Sequence, residues 1–77
     1  MAADQGEALA QTKIAIMYDE GQGMPKNIVQ AYKWYSLAAT NGDKSAPLLL
    51  NLLANEMTPA QIAEAQKLAQ EWKPKGK

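Results

Sequence analysis

Cysteine, histidine, arginine and phenylalanine are all missing from this 77-residue chain. Without cysteine there is no disulfide framework and no thiolate zinc site, so the sequence gives no sign of its redox compartment. Without histidine as well, the commonest general base and the thiol nucleophile are both gone. Charge of one sign is not in excess: eight lysines face eight acids. A chain without arginine and with balanced charge lacks the usual signature of a nucleic-acid binder. Long apolar runs are missing too. Leu48-Leu49-Leu50 ends at Asn51, far short of the roughly 20 residues that span a bilayer. Lys73, Lys75 and Lys77 form a basic tail, smaller than the roughly 4 to 8 basic residues of a lipid-binding cluster. The tail reads as solubilising.

What is present is an internal repeat. AADQGEALA at residues 2–10 returns as AATNGDKSA at residues 38–46, an offset of 36. A fixed period of this size marks stacked structural repeats. The pattern within the period is helical. Residues 5–20 place Ala10, Ile14, Met17 and Tyr18 on one face, and Gly21 follows where a C-terminal cap takes the left-handed conformation. After the loop GQGMPK, Asn27 with Gln30 has the capping-box spacing. The helix it opens, 28–41, carries a stripe of Ile28, Ala31, Tyr32, Tyr35, Ala38 and Ala39, widened by Trp34 and Leu37. A third helix runs through LLLNLLANE. Pro47 delays its start to near Ser45. A fourth opens at Thr58-Pro59-Ala60-Gln61, with Thr as N-cap, Pro at the first helical position and Gln at the third. Its apolar stripe is Ile62, Ala65, Leu68, Ala69 and Trp72. The reading is all-α, helix-loop-helix twice.

Fourteen alanines supply close contact points between helices, with Ala10, Ala31, Ala38 and Ala46 foremost. Tyr18, Trp34 and Tyr35 fill the wedge between them, with Trp34 and Tyr35 expected to be largely buried. Ala10, Ile14, Ala15, Tyr18, Gly21, Gly23, Met24, Asn27, Ala31, Trp34, Tyr35, Ala38, Ala39, Gly42 and Ala46 follow a spaced pattern. In it the chain resembles the Sel-one-like repeat, a relative of the tetratricopeptide repeat with a longer loop inside each unit. Ala15 stands for the usual Gly, Met24 for Val and Asn27 for Asp, each keeping the steric or capping role. The cysteines of the disulfide-linked bacterial subfamily are absent, so nothing specific to that subfamily is carried over. The resemblance implies an α-solenoid of two antiparallel hairpins, and a bacterial periplasmic or exported setting is compatible with it.

On this reading the chain is a single repeat domain. Residues 1–42 hold the end of a preceding unit plus one hairpin, with Ala2-Ala3 the tail of a separate helix. Residues 43–73 form a degenerate second hairpin, and 74–77 the end of the basic tail. In the second unit Ala54 replaces Tyr18 and the glycine loop is gone. Gln61, Glu64, Gln70 and Glu71 face away from the last apolar stripe, as a solenoid cap requires. The expectation is therefore the C-terminal end of a longer array.

Candidates for chemistry are few. Ser36 and Ser45 have no activating partner in the pattern. Asp4/Glu7 and Asp19-Glu20 are carboxylate pairs of the kind that can hydrolyse glycosides, but they flank helix ends as solvated acids do. GQGMPK lacks the lysine-Ser/Thr segment of a phosphate loop, so Gly21 and Gly23 read as turn residues and Met24 as a plug. No calcium-loop spacing occurs. The expectations are no catalysis, no cofactor and no metal, with neither nucleic acid nor membrane as partner.

Binding remains. Stacked hairpins offer a concave surface to an extended peptide or a partner helix. By resemblance to tetratricopeptide hairpins, the first helix of each pair lines it. The positions left over at helical spacing are Leu9, Thr12, Ile16 and Asp19, then Ser45, Leu48, Leu52 and Asn55. We take Leu9, Thr12, Ile16, Asp19, Leu48, Leu52 and Asn55 as the partner-binding set. The alternative is a structural capping segment with no ligand of its own. An apolar N-terminal helix without a neighbour, through Leu9, Ile16 and Met17, would also favour homo-oligomers.

Overall fold

The computed structural model describes residues 2–72, with side chains from Glu7 onward. Lys73, Lys75 and Lys77 lie outside the described residues. Four helices follow in order: α1 (Ala2–Glu20), α2 (Ile28–Thr40), α3 (Ala46–Ala54) and α4 (Pro59–Glu71). The fold is all-α, as the periodicity predicts. Ala2-Ala3 is not the tail of a separate helix. It opens α1, which runs unbroken through Gly6; a glycine inside a helix costs only about 1 kcal/mol relative to alanine.

The helix ends follow the local chemistry. Gly21 takes φ 73° and its N–H donates to Met17 O at 2.8 Å. This left-handed residue closes α1 and turns the chain. The Asn27 side chain caps α2 by accepting from Gln30 N at 3.1 Å. The reciprocal half of the box is not formed; the Asn27 N–H donates to Tyr18 O instead, tying the loop to α1. At α4 the box is complete. Thr58 Oγ1 accepts from Gln61 N at 3.1 Å, and Gln61 Oε1 accepts from Thr58 N at 2.9 Å. Ser45 precedes α3 and Pro47 sits in its first turn, where a missing N–H costs nothing.

The centre of the molecule is α2, against which α1, α3 and α4 all pack. The core gathers Ala15, Ala31, Tyr35, Leu53, Met57 and Ala65, with Tyr35 only 2% exposed. Burial pushes the Tyr35 hydroxyl up to about 12, with Asp19 and Glu20 adding to the effect, so it stays protonated at neutral pH. Trp34 is partly buried and packs against the core from its edge. It lies on the flank of α2, where it meets Trp72 in a T-shaped pair with ring centres 5.8 Å apart and planes at 68°, and Lys33 Nζ sits 4.7 Å from its ring centre.

The second hairpin is open. α3 and α4 share little direct contact and are joined through α2. The linkers account for this. Gly21 and Gly23 both take positive φ and reverse the chain between α1 and α2. Asn55-Glu56-Met57 has no glycine, and none of its residues takes positive φ. Met57 instead turns into the core beside Leu53.

Candidate functional site

α1 turns inward the face Ala8, Gln11, Thr12 and Ala15, all buried. The expected stripe of Ala10, Ile14, Met17 and Tyr18 is rotated from it: Ala10 is exposed and the other three are half-buried. Ala31, Ala38 and Ala46 are buried contact points as expected. Polar side chains cause the rotation. Gln11 Oε1 accepts from Asn41 Nδ2 at 2.8 Å. The single Thr12 hydroxyl proton faces two acceptors, Ala8 O at 3.1 Å and the carboxylate of Asp43. Two polar residues can therefore lie at a helix interface without desolvation loss. Asp43 also accepts from the backbone N–H and hydroxyl of Ser45 at 2.8 and 2.7 Å. The bond from Thr12, then those from Ser45, hold its carboxyl below the ordinary range.

Thr12 therefore leaves the partner-binding set, because its hydroxyl is committed inside the α1–α2 interface. Ile16 and Asp19 are half-buried, and Ile16 packs against the core. Leu9, Leu48 and Leu52 are 54%, 67% and 63% exposed, and Asn55 is exposed. Those three leucines are the large hydrophobic residues that the described structure leaves open to solvent.

The 36-residue offset explains the exposure on α3. The inward face of α1 corresponds to Lys44, Pro47, Leu48 and Asn51, and all four are exposed. In the first unit this face is covered by the following helix; in the second it is not, because α4 rests on α2. Conversely, α3 docks on the core through Ala46, Leu49, Leu50 and Leu53. Their counterparts on α1 are Ala10, Lys13, Ile14 and Met17, of which none is fully buried.

The Sel1 repeat family matches residues 8–43, a stretch as long as the internal offset. It takes in α1 from Ala8 onward, the glycine turn, all of α2 and Asp43. The chain contains a Sel1-like repeat. A curated relative is the chitin synthase regulator SKT5 of Saccharomyces cerevisiae, 42% identical over 45 residues, which is 58% of this chain and 6% of that protein. The Sel1-like chain thus spans only about 6% of the length of that relative. Sel1 repeats are helical-hairpin solenoid units that generally mediate protein–protein interaction, and the family is non-catalytic. The relative is from yeast, so a bacterial setting has no support from it.

Among the described residues no group of three or more acidic, histidine or cysteine side chains could hold a metal ion. No described helix is long and apolar enough to cross a membrane. A cleft lies between α2 and α4, and none of the seven partner-binding candidates lines it.

Proposed function

We propose that this Sel1-like chain is a non-catalytic interaction module that takes a partner helix or peptide on the open face of α3, with Leu9, Ile16, Asp19 and Asn55 contributing to the contact. The observation that carries the reading is the exposure of Leu48 and Leu52 on the face whose counterpart in α1 is covered by a helix. A face with that spacing suits an amphipathic helix with anchors at i, i+3 or i+4 and i+7. Exposed leucines grouped on one helix are the usual mark of such a surface. The test is selection from a displayed library of helical and extended peptides on the 77-residue chain. Ligands that bind saturably and are lost on Leu48→Asp with Leu52→Asp support the reading. Ligands indifferent to that double variant overturn it.

A second reading is favoured by the contrast of buried Ala46 with exposed Ala10. On it the chain is a structural segment of a longer array. The outer face of α1, with Ala10, Ile14 and Met17, seats the second helix of a neighbouring repeat or of another copy of the chain. The polar outer side of α4 acts as a cap. Sedimentation across micromolar concentrations tests the homo-oligomer. A single monomeric species throughout would overturn the contact between copies and leave the α3 reading standing.

A further inference from the structure

The cleft between the C-terminal half of α2 and α4 has a volume of about 690 Å³, within the range of small-ligand pockets. Its walls are unlike the leucine face. Leu37, Ala69 and the indole of Trp72 give it apolar surface, and hydroxyl and carboxamide groups supply the rest. Among the described residues, the one formally charged side chain in the lining is Glu7, reaching in from α1.

Several of these polar groups are already using donors elsewhere. The Thr40 hydroxyl donates to Ser36 O at 3.1 Å. Asn41 Nδ2 donates to Gln11, and Gln66 Nε2 donates to Tyr32 Oη at 3.4 Å. The oxygens of Asn41 and Gln66 and the carboxylate of Glu7 make no hydrogen bond among the described residues. Beside the Ser36 hydroxyl and the Gln70 amide, the lining therefore offers free acceptors, a negative charge and an aromatic wall. A guanidinium group has the complementary chemistry: five N–H donors, no acceptor, a permanent positive charge and a flat face that stacks on indole. The neighbouring indole already takes a cation of the chain itself, Lys33 over Trp34. Trp72 is braced by Trp34 in the T-shaped pair, which fixes the wall before any ligand arrives.

We propose that this cleft is a second binding site, separate from the α3 face, and that it takes an arginine side chain of an extended peptide. Glu7 pairs with the guanidinium and Trp72 stacks on it. The side-chain oxygens of Asn41 and Gln66 receive the remaining donors.

The experiment is a titration of the 15N-labelled chain with the peptide acetyl-Gly-Ala-Arg-Ala-Gly-amide. A matched peptide carries citrulline, the neutral isostere of arginine. The expected result is a saturable shift of the Trp72 indole N–H and of the Gln66 and Gln70 side-chain amides in the millimolar range. Citrulline should weaken binding about tenfold, through loss of both the charge pair and the cation–π contact. Glu7→Gln should weaken it about three- to fivefold, while Leu48→Asp leaves it unchanged. Equal binding of the two peptides, or no saturable response of Trp72, overturns the proposal. So does a response to a neutral oligosaccharide such as cellotriose with none to the arginine peptide, which would assign the cleft to carbohydrate. Because Leu48→Asp acts on α3 alone, failure here and failure of the α3 reading are distinguishable.

Discussion

α1 and α3 carry related sequences 36 residues apart, yet they use opposite faces. α1 packs on α2 through Ala8, Gln11, Thr12 and Ala15. α3 packs on α2 through the other side, with Ala46 and Leu53 at its centre. The same pattern thus serves as an interface within a hairpin in one unit and between units in the other. What differs is less the helices than the linkers and caps around them. A glycine turn brings α2 over α1, whereas a glycine-free linker and a complete capping box start α4 where it meets α2.

The comparison can be broken most forcefully at α2, which both units share. Tyr35→Ala removes the largest fully buried side chain. It should cost about 3 to 5 kcal/mol, most of the stability of so small a domain. Urea unfolding should show a large loss in midpoint, with α1 and α3 melting together. Trp34→Ala, at the partly buried flank of α2, should cost less.

A sharper version compares the paired alanines. Ala46→Leu should cost about 1 to 3 kcal/mol by overpacking against the core. Ala10→Leu should stay within about 0.5 kcal/mol, as surface substitutions usually do. Equal losses in thermal denaturation would mean that the two helices use the same face after all.

Next come the caps. Thr58→Ala should cost about 1 kcal/mol through the lost N-cap bond. Asn27→Ala should cost a similar amount, because its side chain makes the same bond to the third residue of α2. Gln61→Ala should weaken α4, while Gln30→Ala leaves α2 unchanged, since only Gln61 completes the reciprocal bond. Circular dichroism melts of the four variants would decide this.

The smallest effect concerns pH. The carboxyl of Asp43 is held below its ordinary range in the folded chain, first by Thr12 and then by Ser45. Its contribution is fully present above the unfolded value, about 4, and is lost as pH falls through the lower folded value. Stability should therefore decline below about pH 4. Thr12→Val should flatten that decline, whereas Leu48→Val at the corresponding α3 position should not. An unchanged acid limb in Thr12→Val would remove Asp43 as a link between α1 and the α2–α3 turn.

Much of the fold was legible because it rests on local chemistry. Gly21, Asn27, Pro47 and the Thr58–Gln61 box act within four residues of themselves, and each marks a helix end. The inward face of α1 was hidden for a different reason. Gln11 and Thr12 are polar, and a rule based on apolar spacing places them outside. Only their partners Asn41 and Asp43, about thirty residues on, show that they are satisfied when buried. The burial of Met57 depends on the path of the linker, which no local pattern gives. The openness of the second hairpin, and with it the exposure of Leu48, is likewise a tertiary result. The cleft with Glu7 and Trp72 joins residues from nearly opposite ends of the sequence, so no spacing rule could have found it.

The shared dependence on α2 has a dynamic consequence. In a long solenoid each repeat touches only its neighbours, and units can open one after another. Here every other helix packs on α2, so exposing its backbone requires all three interfaces to separate at once. Amide protons of Ala31, Tyr35 and Ala38 should then exchange only through global unfolding, while those of α3 exchange through local opening. The slowest amides of the chain would lie in its second helix, and the free energy from their exchange would equal that of the whole fold.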